Sequence, residues 1–231
     1  FGTTTLTSAG SNDVFIAKLN ADGSYAWAQK AGGSSYDYGY GISALADGSS
    51  LITGYFRGSA SFGSTTLTSA GSKIDVFIAK LNADGSYAWA KKAGGSGSDY
   101  GKSISALADG SSLITGSFNG SASFGSTTLT SAGGSDVFIA KLKADGSYAW
   151  ATKAGGSSND WGRSISALAD GSSLITGYFN GTASFGSTTL RSAGKDDVFI
   201  AKLNADGSYA WAQKAGGSSY DYGNGISALA D

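Results

Sequence analysis

Apolar and polar residues alternate in short runs along the chain, and Asp-Gly turns separate the runs. The run DVFIAKL (13–19, strand C) meets SYAWAQKA (24–31, strand D) across NADG, and GISALA (41–46, strand A) meets SLITGYF (50–56, strand B) across DGS. An Asp-Gly pair between two such runs indicates a β-hairpin, because glycine adopts the positive φ that tight turns need. No stretch shows the apolar spacing of a helix. The pattern therefore predicts an all-β chain.

The distribution of apolar residues over the two faces of each strand predicts how the sheets pack. Strands B and C carry apolar residues on both faces, which is typical of a sheet that is covered on both sides. Strand D places Tyr25 and Trp27 on one face and small alanines on the other. We expect Trp27 and its equivalents Trp89, Trp150 and Trp211 to lie in the core. A four-stranded antiparallel sheet that is sandwiched between copies of itself predicts a β-propeller blade.

The whole pattern is repeated at a nearly fixed period. FGTTTLTSAG at position 1 recurs as FGSTTLTSAG at 62 and 124 and as FGSTTLRSAG at 185, a spacing of 61 or 62 residues. Such a period indicates a repeat architecture. We predict a single β-propeller domain over 1–231, with a strand B missing from the last blade so that a four-blade ring closes imperfectly. Its repeats are approximately 1–61, 62–123, 124–184 and a partial 185–231.

The composition argues against several classes of function. The formal net charge is −1, with no basic stripe or polybasic patch, which argues against nucleic-acid binding and membrane insertion. Cys and His are missing and every acidic residue is Asp, so the chain has no thiolate, no imidazole base and no usual zinc ligands. We expect a protein without catalytic residues or cofactors. The chain has no initiator Met, and we expect it to be part of something longer.

Differences between the repeats indicate where a ligand would bind. They gather in the B–C loops and in the D–A loops, which alternating strand directions place on the same face. Loops that vary on a rigid scaffold often carry function, although drift at unconstrained positions explains them equally well. The B–C loops are 11–13, 72–75, 134–136 and 195–197. The candidate ligand-binding residues are Tyr36, Tyr38, Tyr40, Tyr100, Lys102, Asn159, Trp161, Arg163, Tyr220 and Tyr222.

The D–A loop GGSSYDYGYG (32–41) allows several interpretations. A phosphate site needs a helix after the glycines, whereas this loop leads into strand A. Planar aromatic rings beside polar groups suit carbohydrate, but aromatic residues at position 38 and its equivalents also fit partial burial between blades. The loop aspartates are weak calcium candidates, since each is a lone carboxylate and more simply fixes the turn. These aspartates are Asp37, Asp99, Asp160 and Asp221.

The repeat resembles a known bacterial family. The pieces DVFIAKL, ADGSYAWA, AGGS…DYG and LITGYF are similar to the SBBP (seven-bladed β-propeller) repeats of large bacterial secreted and cell-surface proteins. The resemblance implies an extracellular propeller and supplies no catalytic residues. We expect a structural or adhesive segment that acts as a rigid scaffold or interaction platform. The alternative is a multivalent lectin-like module. Expected partners are other copies or neighbouring segments of the same protein, and surface glycans.

Overall fold

The computed structural model describes residues 1–228, and every regular element within them is a β-strand. The strands are β1 Val14–Leu19, β2 Tyr25–Gly33, β3 Tyr38–Ala44, β4 Ser50–Arg57, β5 Ser59–Phe62, β6 Thr65–Thr68, β7 Ile74–Leu81, β8 Tyr87–Gly95, β9 Tyr100–Ala106, β10 Ser112–Phe124, β11 Thr127–Leu142, β12 Tyr148–Gly156, β13 Trp161–Ala167, β14 Ser173–Phe185, β15 Thr188–Leu203 and β16 Tyr209–Ala215. The predicted all-β class is confirmed. None of the described residues forms a helix long and apolar enough to cross a membrane.

The strands pair into antiparallel four-stranded units in the order A, B, C, D that the sequence predicts. Unit 1 contains β3, β4, β7 and β8, unit 2 contains β9 to β12, and unit 3 contains β13 to β16. Strands β1 and β2 form a half unit that precedes unit 1. The A–B hairpin shows why the sequence turns there: Gly48 has φ +81°, and Asp47 Oδ1 accepts the Ser49 N–H at 2.9 Å.

Each unit also has a hairpin arm that the sequence analysis missed. Strands β10 and β11 continue past the sheet and turn between Phe124 and Thr127, and β5 and β6 form the same arm after β4. Ala122 in the arm of unit 2 pairs with Gly95 at the end of β8 in unit 1. The prediction of B–C loops is therefore wrong for 134–136 and 195–197, which lie inside β11 and β15, and partly wrong for 72–75, which overlaps β7. In the hairpin arm, polar Ser and Thr residues alternate with Ala and Phe. This alternation gives the arm the two-residue period of a β-strand.

The core lies between successive units rather than within one sheet. One buried cluster joins Val76 and Ile78 of unit 1 to Phe138 and Ala140 of unit 2. Phe138 also contacts Phe124 from the arm, with ring centroids 4.9 Å apart. Sheets that are apolar on both faces thus bury both faces, as the pattern of strands B and C predicts.

Tryptophans hold neighbouring units together at the edge of each junction. Trp27 Nε1 donates to the Ala83 carbonyl at 3.0 Å, so the tryptophan in strand D of one unit bonds the C–D turn of the next. Trp89 and Trp150 repeat this contact, with distances of 3.2 and 3.1 Å to their acceptors. The expectation of core tryptophans holds for these three, which are half-buried and pack against the core clusters, but not for Trp211, which is 39% exposed. The indole needs to reach a turn carbonyl, and that carbonyl lies at the rim.

The half unit leaves an open edge. Strand β1 pairs with β2, and within residues 1–228 no strand pairs with its other edge, where β4 would stand relative to β7. A groove of about 430 Å³ runs along this edge, lined by Phe15, Ile16 and Ile42 among others. Phe15 is 63% exposed, whereas its equivalent Phe77 is fully buried. The described strands therefore do not form a closed ring.

Candidate functional site

Aromatic side chains from successive units form one continuous row, which we call the aromatic row. Tyr38 begins strand β3 and pairs with Tyr55 of β4, and their ring centroids are 5.2 Å apart. Tyr55 also meets Tyr100 of unit 2 edge to face at 5.2 Å, and Tyr100 meets Trp161 of unit 3 at 5.4 Å. Tyr38 and Tyr40 both contact Tyr55, and from there the row continues through Tyr100, Trp161, Tyr178, Tyr222 and Tyr220.

Three cations lie against rings of the aromatic row. Lys102 Nζ is 3.6 Å from the ring centroid of Tyr40 and 5.2 Å from that of Tyr100. The Arg163 guanidinium carbon lies 5.1 Å from the Tyr178 ring centroid, and Arg163 Nη2 donates to the Tyr178 hydroxyl at 3.0 Å. Lys195 Nζ is 4.3 Å from the Tyr220 ring centroid. Cations at these distances are attracted by the negative face of each ring.

Burial changes the protonation of groups in the row. Partial burial, together with the nearby Arg163 charge, lowers the pKa of Lys102 to about 8. Burial also raises the pKa of Tyr55 well above its ordinary value, and its hydrogen bond with Tyr40 adds to the effect. Tyr55 therefore stays neutral across the physiological range, whereas Lys102 begins to lose its charge just above neutral pH.

The row has accessible rings at its two ends and packed rings in its middle. Tyr40 is 50% exposed and Tyr222 is 49% exposed. Tyr38, Tyr100 and Trp161 are half-buried, which agrees with the expected partial burial at the junctions. A solute on this surface would therefore contact the end rings and their cations first. This arrangement suits binding by stacking and charge.

The structure brings most of the sequence-predicted residues together. Tyr38, Tyr40, Tyr100, Lys102, Trp161, Arg163, Tyr220 and Tyr222 all take part in the aromatic row or its cation contacts. Tyr36 lies outside the row, beside Asn12 in an isolated bridge. Asn159 accepts the Ser135 N–H at 2.9 Å and so joins its D–A loop to the segment before strand C.

Sequence reasoning missed two members of the row, Tyr55 and Tyr178. Both lie on strand B, where unit 2 has Ser117 instead, and the cross-strand pairs Tyr38–Tyr55 and Trp161–Tyr178 place them next to the predicted residues. The sequence does show that this position of strand B is Tyr, Ser and Tyr in otherwise similar repeats. The difference lies in a strand, whereas variation that serves ligand binding is expected in loops.

The loop aspartates fix the D–A turns through backbone hydrogen bonds. Asp99 Oδ2 accepts the Gly95 N–H at 2.9 Å, and its Oδ1 accepts the Asn119 N–H at 3.2 Å. Asp37 and Asp160 make the same pair of contacts, and Asp221 accepts the Gly217 N–H. These contacts tie the loop to the end of strand B, which agrees with the turn interpretation of these residues.

Each D–A loop holds a single carboxylate, but a second one, from the start of strand C, lies near each of these aspartates. Asp75 Oδ1 and Asp99 Oδ2 both approach the same side of Gly94, and a Cβ there would be 2.7 and 2.8 Å from them. Burial above all, with a contribution from the Asp75 charge, raises the pKa of Asp99 to about 7. Lys92 Nζ lies 3.5 Å from Asp75 Oδ2. No group of three or more metal-ligating acidic residues occurs within 1–228, and calcium binding stays a prediction.

Comparison with known proteins supports the propeller architecture at a general level. Residues 2–24, which include strand β1 and the turn before β2, match the family described as "Domain of unknown function (DUF5122) beta-propeller". No curated protein sequence matches the chain. The chain is also similar to a solved protein of unknown function from Bacteroides caccae, with a TM-score of 0.29, 10% identity and coverage of 94% of this chain and 96% of that chain. The family match and the repeated four-stranded units together support a β-propeller family.

Proposed function

We propose that the chain is a non-catalytic structural or adhesive β-propeller segment of a secreted or cell-surface bacterial protein of the SBBP type. It acts as a rigid scaffold or interaction platform and needs no cofactor. Its partners are other copies or neighbouring segments of the same protein, not nucleic acid or membrane. The lack of Cys, His and Glu and the resemblance of the repeats support this proposal.

One observation carries the proposal: the same tryptophan contact is made at each of the three junctions that join the half unit and units 1 to 3. The tryptophan contact occurs three times, and the Tyr87 and Tyr148 hydroxyls each donate to a strand D carbonyl of the preceding unit, at 3.1 and 3.2 Å. Repeated contacts of one geometry give a stack whose stability is a sum of junctions. A rigid stack of this kind suits a scaffold or an interaction platform.

Hydrogen exchange and thermal unfolding test the scaffold role. We expect strands β7, β11 and β15 to exchange slowly and together, with one cooperative unfolding transition. A chain that shows rapid exchange in these strands and no cooperative transition would contradict the proposal, because a scaffold has to be rigid.

A second candidate function is carbohydrate binding on the aromatic row. It is favoured by the half-exposed rings of Tyr40 and Tyr222 beside the charges of Lys102 and Arg163. Similar surfaces on successive units would bind a repetitive polysaccharide by avidity. We expect binding on a glycan and polysaccharide array, measured with and without calcium, to be lost in the double variant Tyr40→Ala, Tyr222→Ala.

The control for this array is Thr66→Ala, because Thr66 is exposed on the β5–β6 arm and lies outside the aromatic row. We expect the control to retain binding. An array without any bound glycan, or equal loss in both variants, would exclude the carbohydrate role and leave the scaffold proposal standing.

A further inference from the structure

The two end surfaces of the chain carry complementary halves of the contact that joins its units. At each internal junction a tryptophan lies against the glycine of the next C–D turn. A Cβ on Gly85 would be 2.7 Å from the Trp27 ring, and a Cβ on Gly146 would be 2.9 Å from the Trp89 ring. Gly207 lies in the same way against Trp150. The glycine is therefore required where the indole packs against the turn.

The first C–D turn has the same glycine, but within residues 1–228 no tryptophan packs against it. Gly23 has φ +82°, like its equivalents, yet no heavy atom among the described residues lies within 4 Å of a Cβ placed there. The Ala21 carbonyl corresponds to the Ala83 carbonyl that accepts Trp27 Nε1. The half unit thus presents an empty copy of the tryptophan site.

The last unit presents the missing tryptophan. Trp211 occupies the position of Trp27 in strand D and is 39% exposed. Within residues 1–228 its Nε1 donates to no carbonyl, although the other three tryptophans of this position all do so. A large exposed indole beside buried strands is typical of an interaction surface.

Two further contacts are open in the same complementary way. Tyr87 OH donates to the Lys30 carbonyl of the preceding unit, and the equivalent Tyr25 is 45% exposed on the half unit. In the last unit, the carbonyl that corresponds to the Lys30 acceptor is that of Lys214.

Among residues 1–228, a hydrogen bond between neighbouring A strands also has an unused donor at one end surface and an unused acceptor at the other. The Ala106 N–H donates to Ser43 Oγ of the preceding strand A at 3.0 Å, and Ala228 N–H donates likewise to Ser166 Oγ. The equivalent donor on the first strand A is Ala44, and the equivalent acceptor on the last segment is Ser227, which is exposed.

We propose that two copies of the chain associate head to tail, with Trp211 of one copy seated on Gly23 and Ala21 of the next. The interface is heterologous, because different surfaces of the two copies meet, and it reuses a contact that the chain already makes three times internally. The inference rests on the scaffold proposal and names its partner as a second copy.

Two blocking variants test the orientation of this contact. Gly23→Asn places a side chain where the tryptophan ring would pack. It should cause little backbone strain, because Asn tolerates positive φ best among residues with a side chain. Trp211→Ala removes the indole. Each variant alone is expected to sediment at the 23.0 kDa mass of one chain, and their equimolar mixture at twice that mass. The wild type is expected to form heavier species as concentration rises.

Controls separate this inference from the scaffold proposal. Gly58→Asn changes a glycine of φ +70° that has equally open space but lies on neither end surface, and it is expected to associate like the wild type. Tyr25→Ala is a second block of the half unit should Gly23→Asn misfold. Association of either blocked variant with itself, or a wild type and mixture that remain single chains, would overturn the inference. Folded chains that do not associate leave the scaffold proposal intact.

Discussion

Residues of the same sequence have very different surroundings at the internal junctions and at the first strand. The run DVFIAKL is buried in β7, where strand B covers its edge and unit 2 covers the face that carries Val76 and Ile78. The half unit covers the opposite face, which carries Phe77 and Leu81. In β1 the same residues border an open groove. Phe15 and Leu19 are mostly exposed there, whereas Phe77 and Leu81 have no exposed surface. The comparison shows that the contribution of each residue to stability is set by the neighbouring unit. It follows that substitutions at equivalent positions should have unequal effects.

The largest difference is expected for phenylalanine. Phe138→Ala removes a fully buried ring and should lower the free energy of unfolding by about 3–5 kcal/mol. Phe15→Ala removes a ring that is 63% exposed and should cost less than about 1 kcal/mol. Urea unfolding of the two variants measures both values. Equal losses would show that β1 is covered in solution.

A smaller difference is expected for the buried threonine of strand B. Thr115 Oγ1 donates to the Phe138 carbonyl at 2.8 Å, so Thr115→Val should cost about 1–2 kcal/mol by leaving that carbonyl without this bond. Thr7→Val, at an exposed position before β1, should change the free energy of unfolding by less than about 0.5 kcal/mol. Chemical unfolding separates the two. A neutral Thr115→Val would contradict the assigned contact.

The internal junctions should also show a distinctive pH dependence. Burial raises the pKa of Asp99 and Asp160 to about 7, from an ordinary value of 3.8. These two carboxyl groups therefore keep protons in the folded state that they release in the unfolded state. Their contribution to stability is greatest at low pH and is lost as pH rises through about 7. We expect Asp99→Asn to flatten the thermal unfolding profile between pH 5 and 8, chosen to span that pKa.

The matched control for this profile is Asp109→Asn. Asp109 lies in the A–B turn, where the Ser111 hydroxyl and N–H lower its pKa, so its contribution is lost only in more acidic solution. The control should keep the wild-type slope between pH 5 and 8, the window around the Asp99 pKa. A wild type that gains stability across this window would contradict the assignment.

The smallest difference is expected for the tryptophan hydrogen bond. Trp150→Phe removes the donor to the Ala205 carbonyl and should cost about 0.5–1.5 kcal/mol. Trp211→Phe should cost almost nothing in a dilute single chain, because Trp211 has no such acceptor among residues 1–228. Thermal unfolding at low protein concentration measures both. A larger loss for Trp211→Phe than for Trp150→Phe would reverse the comparison.

The sequence allows the four strands of each unit to be predicted because Asp-Gly turns and alternation are local signals. It did not reveal the arm from 59 to 68, whose Ser and Thr residues resemble a loop, although Ala60 and Phe62 are buried. The hydrogen bond of Trp27 could not be predicted either, because its acceptor is Ala83 in the next unit and no local pattern shows that contact. Most of the aromatic row could be predicted, since its members differ visibly between repeats. Its continuity depends on contacts between units.

The central claim is that the neighbouring unit, rather than the local sequence, protects each strand. Hydrogen exchange of the dilute single chain tests it most directly, because 14–19 and 76–81 are identical sequences within one molecule. We predict slow exchange in 76–81 and much faster exchange in 14–19, where one edge of β1 is unpaired. Equal protection of the two segments would contradict the account.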